Sequence, residues 1–140
     1  MMCRTVFSDS PSSLRGCRST SWTLGCTLEV NAENEAICRL PRNPALDHWG
    51  HDTHGGIVAT LLDIAGWFTA AAKCGQAVVT SDIHVRFLQA ANQQDLVATA
   101  RIVRMGSKAI VTEMTVSSAA GELVATATAS FMKLGEPPAR

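Results

Sequence analysis

The sequence has no excess of charge of either sign. Twelve basic residues balance twelve acidic ones in a chain of 140 residues, so no global positive field is present to hold nucleic acid through its phosphates. No stretch approaches the roughly 18 consecutive apolar residues that a membrane span requires. We therefore expect neither nucleic acid nor a membrane span to be part of its function.

Paired cysteine motifs are also missing. The five cysteines are odd in number, widely spaced and without a C-x-x-C pair. This pattern argues against a disulfide framework or a zinc knuckle, and it predicts reduced thiols in a cytoplasmic protein. With 46% hydrophobic and 17% charged residues, the chain is apolar enough to fold around one packed core.

The beginning of the chain lacks the apolar segment of a secretory signal. It is rich in serine and arginine and poor in acid, a composition shared by organellar transit peptides and by poorly ordered tails. We expect a flexible or short helical segment over residues 1–20, one folded domain over 21–134 and a tail over 135–140. Whether the first segment is ordered or serves in targeting stays open.

The hydrophobic period changes once along the chain and predicts an α+β fold. Two strands, over 22–30 and 35–40, precede a helix from Gly55 to Lys73 that Gly75 ends. After Gly75 apolar residues recur at every second position, which predicts four more strands joined by short turns. We expect these elements to form one antiparallel sheet that covers one long helix.

This helix is apolar on nearly all sides, so we expect it to be buried on nearly all sides. One side suits packing on its own sheet. The opposite side carries the small residues Ala59, Gly66 and Ala70, which allow another element to approach closely. A second copy of the protein is the natural candidate, so we expect a homo-oligomer, either a dimer or a tetramer.

Asp63 is the one acidic side chain in this helix. Burying a carboxylate without partners costs several kcal/mol, so its position needs a structural or a chemical reason. Upstream, His54-Gly55-Gly56 opens the helix. Glycines there let a ligand approach N–H groups that have no partner inside the helix, and such groups can polarise a carbonyl.

Together these residues resemble a known family. The H-G-G at 54–56, the acid nine residues after His54, the V-T-S-D at 79–82 and the terminal G-E-L-V-A-T-A-T-A-S-F resemble hotdog-fold acyl-CoA thioesterases, specifically the phenylacetyl-CoA thioesterase-like subfamily. The resemblance covers about residues 22–133. It implies a six-stranded sheet wrapped around the central helix, pairing of two subunits, and hydrolysis of acyl-CoA with no cofactor beyond the CoA of the substrate.

The resemblance also assigns roles to residues. Asp63 matches the acid that activates water or attacks the thioester, and Gly55, with Gly56 beside it, matches the glycine whose N–H polarises the carbonyl. Thr80 matches a residue that assists the attacking water. His48 stands where relatives usually have an asparagine, and as a candidate catalytic residue it can still donate a hydrogen bond to the thioester or the departing thiolate.

Further residues are candidates for the substrate site. His54 matches the histidine of the family motif, and His51 stands where relatives tend to have glycine. On the helix, Leu62 and Trp67, with Leu61 and Phe68, suggest an apolar surface for an aryl or medium-chain acyl group. The acyl group itself stays undetermined.

Spacing supports a site shared between subunits independently of the family. Gly55 and Asp63 are eight residues apart, about 12 Å along one helix. A nucleophile must come within roughly 3–3.5 Å of the carbonyl carbon whose oxygen the N–H also reaches. One helix cannot supply both groups to one thioester, whereas two antiparallel helices related by a two-fold axis can.

Other readings of the same residues remain. His48, His51 and His54, flanked by two aspartates, are potential metal ligands, but their spacing fits no strong zinc signature and we expect no metal. Arg104, Ser107 and Lys108 surround a turn and are candidates to bind the phosphates of CoA. The rival functions are an acyl-CoA-binding hotdog protein without hydrolysis and an acyl-thioester dehydratase.

Overall fold

One antiparallel sheet and one long helix make up the fold. The computed structural model describes residues 18–21 and 24–135, and most of the segment expected to be flexible or helical lies outside them. The helix α1 spans Gly55–Cys74, and a short 3-10 helix spans Pro44–Leu46. The strands are β1 (Arg18–Ser21), β2 (Cys26–Val30), β3 (Ala36–Leu40), β4 (Val78–Phe87), β5 (Leu96–Met105), β6 (Ala109–Ser118) and β7 (Leu123–Lys133).

The sheet confirms the predicted α+β class and adds a strand. Its order is β1-β2-β3-β5-β6-β7-β4, with antiparallel pairing throughout. The strand predicted over 22–30 begins only at Cys26, because Gly25 adopts a left-handed conformation with φ 72° and turns the chain. The preceding residues 18–21 pair back onto β2 as a seventh strand at the edge of the sheet.

The helix α1 lies against the sheet, and its buried side forms the centre of the core. Leu61, Leu62 and Ala65 have no exposed surface. By length and mean hydropathy α1 would pass as a membrane span, contrary to our expectation that no segment would, but half of that stretch is buried inside the fold. As predicted, Gly75 ends the helix: its φ is 71° and its N–H bonds to the carbonyl of Ala71.

The small residues of α1 serve a purpose that the sequence did not reveal. A Cβ on Gly66 would lie 3.0 Å from Phe131 Cζ and 3.1 Å from Met114 Sδ, so this glycine allows the helix to press against its own sheet. Ala70 is also fully buried within the chain. The expectation that Gly66 and Ala70 meet a second copy is therefore wrong.

The described cysteines, Cys26, Cys38 and Cys74, form no disulfide. Cys26 and Cys38 lie on the adjacent strands β2 and β3 with no exposed surface. A hydrogen bond to Cys26, together with burial, raises the pKa of the Cys38 thiol. A thiol with a raised pKa is a poor nucleophile. We therefore assign this buried pair a role in core packing and not in catalysis.

The loop that leads into α1 is fixed by two aspartates. Arg42 donates two hydrogen bonds to the Asp47 carboxylate, at 2.5 and 2.6 Å, and this contact lowers the pKa of Asp47. Burial raises the pKa of Asp52, but N–H groups of Thr53, Asn92 and Gln93 outweigh burial and lower it. Because both folded-state pKa values lie below their unfolded values, this stabilisation is lost only as the pH falls through those lowered values.

His51 occupies a strained position in this loop. Its φ is 61°, in the left-handed region that favours glycine. Two hydrogen bonds hold the conformation: the His51 N–H donates to the His48 carbonyl at 3.0 Å, and Gln93 Nε2 donates to the His51 carbonyl at 2.9 Å. The loop therefore keeps its glycine-like shape with a histidine in place.

We predict that Gly66→Val lowers the free energy of unfolding by about 2 kcal/mol, because the added methyl groups overpack the contact with Phe131 and Met114. The control is Ala59→Val, a half-buried site on the same helix where the change costs less than about 1 kcal/mol through helix propensity. Urea denaturation of both variants measures the difference. Equal losses would mean that the helix does not press on the sheet at Gly66.

At position 51 we predict that the glycine variant is more stable than the alanine variant by about 1 kcal/mol, since alanine retains the left-handed strain and glycine does not. Both variants lose the imidazole, so their comparison isolates the backbone. Thermal and urea unfolding of His51→Gly and His51→Ala measure it. The usual order, with alanine the more stable, would contradict a left-handed conformation at this residue.

Candidate functional site

Asp63 and Thr80 are in direct contact although 17 residues separate them. Thr80 Oγ1 donates a hydrogen bond of 2.8 Å to Asp63 Oδ1, and both residues are half-buried. The register of β4 shifts between Thr80 and Asp82, a bulge at Ser81, whose hydroxyl bonds to the Ser130 carbonyl. Thr80 is opposite the fully buried Phe131 and so faces the helix. The structure thus brings together an acid and a hydroxyl group.

The start of α1 leaves one backbone donor open. The Gly55 N–H has no hydrogen-bond partner within the described residues. The Gly56 N–H, in contrast, donates to His54 Nδ1 at 2.9 Å, so the imidazole caps the helix and takes up this second N–H. Of the two glycines predicted at the site, only Gly55 offers a free donor here, at the positive end of the helix dipole.

Phe87 is a neighbour of this donor that the sequence analysis did not single out. A Cβ on Gly55 would lie 3.5 Å from Phe87 Cε1, so the ring lies beside the helix start while remaining 55% exposed. Strand alternation grouped Phe87 with Ile83 and Val85 on one face of β4. It did not reveal that this face meets the first turn of α1.

His48 and His54 are engaged with the backbone. His48 Nδ1 accepts a 2.9 Å hydrogen bond from the Gly50 N–H, and its ring centroid lies 6.4 Å from that of His54. Asp47 and Asp52, the flanking acids, are bound by Arg42 and by backbone N–H groups. Among the described residues no group of three potential ligands is arranged to hold a metal ion.

The apolar residues predicted to line the site divide into two pairs. Leu61 and Leu62 have no exposed surface and pack into the core, so the expectation that Leu62 contacts substrate is not met. Trp67 and Phe68 are half-buried and stack edge to face with ring centroids 4.9 Å apart. Trp67 Nε1 donates to the Val78 carbonyl at 2.8 Å, which fixes the indole beside the start of β4.

The candidate phosphate-binding residues lie near the end of β5 and on the turn between β5 and β6. Arg104, Ser107 and Lys108 are all exposed. Arg104 is opposite Val111, between the buried Ile110 and Thr112, so its position is on the face of the sheet away from the helix. Gly106 is needed for the turn, because a Cβ there would lie 2.6 Å from the Ala109 carbonyl oxygen.

The two reactive features lie on one helix but not at one place. Gly55 is the first residue of α1 and Asp63 the ninth, so about 12 Å of helix axis separates them. Within one chain the free N–H and the carboxylate therefore cannot act on the same carbonyl group.

Comparisons with known proteins agree with this architecture. A curated protein of Halobacterium salinarum, named as a predicted esterase, is 36% identical over 100 residues, which are 66% of this chain and 66% of that protein. The chain thus spans just under two thirds of that relative. The crystal structure of a Bacillus halodurans protein with CoA matches with a TM-score of 0.67 and 37% identity, over 70% of this chain and 66% of that one.

A third comparison concerns the subfamily. The Escherichia coli PaaI protein from the phenylacetic acid degradation operon has a TM-score of 0.73 at 22% identity, over 80% of this chain and 81% of that one. At that identity the likeness shows the shared hotdog fold alone. The sequence pattern of the thioesterase superfamily matches residues 50–125, more than half of the chain, including the H-G-G motif, Asp63 and Thr80. This chain therefore belongs to the thioesterase superfamily.

Proposed function

We propose that this protein hydrolyses acyl-CoA thioesters to a free acid and CoA, at a site that two subunits share. The observation that carries the proposal is the 2.8 Å hydrogen bond between Thr80 and Asp63, which lies on the same helix as the open Gly55 N–H. An acid beside a hydroxyl group suits the delivery of water to a carbonyl carbon. An open N–H at a helix start suits the stabilisation of the oxyanion that forms.

In the proposed reaction Asp63 acts at the thioester carbonyl carbon. As a general base, it takes a proton from water while the water oxygen forms the new C–O bond. As a nucleophile, it forms an anhydride that water then cleaves. In either case Thr80 orients the water or the carboxylate, the Gly55 N–H of the other subunit holds the oxyanion, and the C–S bond breaks to release the CoA thiolate.

The second subunit is a proposal that rests on the exposed side of β4. This strand is at the edge of the sheet, and its inner face presents Ile83, 36% exposed, and Phe87, 55% exposed. An exposed edge strand with apolar side chains favours pairing with another chain. A second copy placed there across a two-fold axis brings its Gly55 towards Asp63, because Phe87 lies beside Gly55 and Thr80 beside Asp63.

We further propose that CoA carries the acyl group and that aryl or medium-chain acyl groups are accepted. The Bacillus halodurans relative was crystallised with CoA, and Ser107 and Lys108 offer a hydroxyl and a cation for its phosphates. Trp67, one helical turn after Asp63, and its neighbour Phe68 provide half-buried aromatic surface on α1. The phenylacetyl-CoA preference remains part of this proposal. His48, which caps its own loop through Gly50, is assigned no catalytic step.

We predict that Asp63→Asn lowers the turnover number at least about 100-fold, since a carboxamide neither accepts the proton nor attacks the carbonyl. Thiol release from short, medium, long and aryl acyl-CoAs measures it. The matched control is Glu122→Gln: the residue lies on the turn between β6 and β7, and it is exposed.

Each outcome has a distinct meaning. Near-normal turnover by Asp63→Asn would show that the carboxylate is structural and would overturn the proposal. Absence of thiol release by the unmodified protein from every acyl-CoA would favour an acyl-CoA-binding protein. Loss of water from a 3-hydroxyacyl-CoA without thiol release would identify a dehydratase.

A further inference from the structure

The edge strand β4 carries a row of polar side chains on its outer face, Asp82, His84 and Arg86, and all three are exposed. Their partners on β7 alternate with residues buried against the helix, which places the row on the face away from α1. Those partners are the uncharged Ser130, Thr128 and Thr126. In the part of the chain that the structure describes, Asp82 and Arg86 take part in no ion pair. Their charges are therefore unmatched within one chain.

The inner face of the same strand limits where a second copy can lie. Near the start of β4, Thr80 contacts Asp63, and at its end Phe87 lies beside Gly55. The two halves of the proposed site thus stand at opposite ends of one strand. For Gly55 of one copy to reach Asp63 of another, Phe87 of the first copy must lie opposite Thr80 of the second.

This condition fixes the register of two antiparallel β4 strands. A pairing of identical strands is defined by the residue on the two-fold axis, because directly opposite residues share a face and are equally far from that axis. The bulge at Ser81 adds one residue to the alternation, so Thr80 takes the place that position 81 would otherwise have. Phe87 opposite Thr80 then puts His84 on the axis, opposite its own copy.

With His84 on the axis, the charges of the outer row match. Asp82 and Arg86 lie two residues before and after His84, so Asp82 of each copy is directly opposite Arg86 of the other. Two ion pairs form, one on each side of the axis, and opposite charges in this position stabilise strand pairing. On the inner face the same register puts Ile83, which is 36% exposed, opposite Val85. This removes apolar surface from water.

Neighbouring registers lose this match. An axis at Ile83 puts Arg86 opposite the apolar Val79, and an axis at Val85 puts Arg86 opposite His84. Either shift also changes the pairing by two residues, roughly 7 Å along the strand, and so separates the two halves of the site. The charges of the outer face and the site on the inner face therefore select the same register.

We propose that two copies of this chain join through their β4 strands with His84 on the two-fold axis and Asp82 of each copy paired with Arg86 of the other. The inference rests on the shared site of the proposed function and deepens it by fixing the register of the interface. Asp82 and Arg86 are positioning residues. By disfavouring shifted registers, their ion pairs hold Gly55 of one copy at Asp63 of the other.

Cysteine cross-linking of the full-length protein measures the register. Opposite residues of an antiparallel pair have Cα atoms about 4.5–5.5 Å apart, within the roughly 4.4–6.8 Å that a disulfide spans. We expect His84→Cys to form a disulfide-linked dimer with copper phenanthroline as oxidant. Asp82→Cys and Arg86→Cys should each fail to link alone and should link when refolded together. The unmodified protein is the control for the five native cysteines.

Charge reversal tests the ion pairs. Asp82→Lys and Arg86→Glu each replace two ion pairs by two contacts between like charges, so each alone should weaken self-association at least about tenfold in sedimentation velocity. An equal mixture of the two variants should restore association as a heterodimer, because every charge then meets its opposite. Glu122→Lys, on the exposed turn between β6 and β7, changes the net charge as Asp82→Lys does and should not weaken association. Thermal unfolding confirms that each variant folds.

The outcomes separate this inference from the proposed function. A folded, dimeric His84→Cys that does not cross-link would overturn the register even if acyl-CoA is hydrolysed. Cross-linking at His84→Cys, with heterodimers in the charge-reversed mixture, supports it even in a protein that releases no thiol, in which case hydrolysis alone fails. Equal weakening by Glu122→Lys, or no recovery in the mixture, would overturn the ion pairs between Asp82 and Arg86.

Discussion

The proposed active site depends on where an α-helix can offer a free backbone N–H. Only the first turn has such donors, and in α1 the His54 imidazole takes one of them, at Gly56, and leaves the Gly55 N–H open. Asp63 stands more than two turns farther along the same rigid helix. A carbonyl group cannot bridge about 12 Å, so in the proposed site each chain supplies two halves that do not meet within it.

The rest of the fold positions these halves. Gly66 lets α1 press on Phe131 and Met114, which fixes the helix against the sheet. Because the bulge at Ser81 shifts the alternation of β4, Thr80, which contacts Asp63, and Phe87, which lies beside Gly55, both face the helix. Because β4 is an edge strand with exposed apolar residues, the same strand that contacts both halves is also the one that a second copy can cover.

The sequence predicted features that depend on local patterns. The extent of α1 follows from its apolar run and from Gly75, and the strands after it follow from their alternation. Asp63, Gly55 and Thr80 came from motif spacing, and the contact between Asp63 and Thr80 supports their grouping. The rest depends on contacts that motif spacing does not show. Gly66 packs on strands 48 and 65 residues away, the His54 imidazole accepts a hydrogen bond from the Gly56 N–H, and the sheet buries Leu62.

Subunit complementation tests the shared site most directly. Asp63→Asn removes the acid, and Gly55→Pro removes the N–H at a position where the preceding His54 already has the extended conformation, φ −59° and ψ 137°, that proline requires. Each variant alone should be inactive. Refolding an equal mixture should restore about a quarter of the original activity, because half of the dimers are mixed and each has one intact site. If both variants fold and exchange subunits but the mixture stays inactive, Gly55 and Asp63 do not act together across two chains.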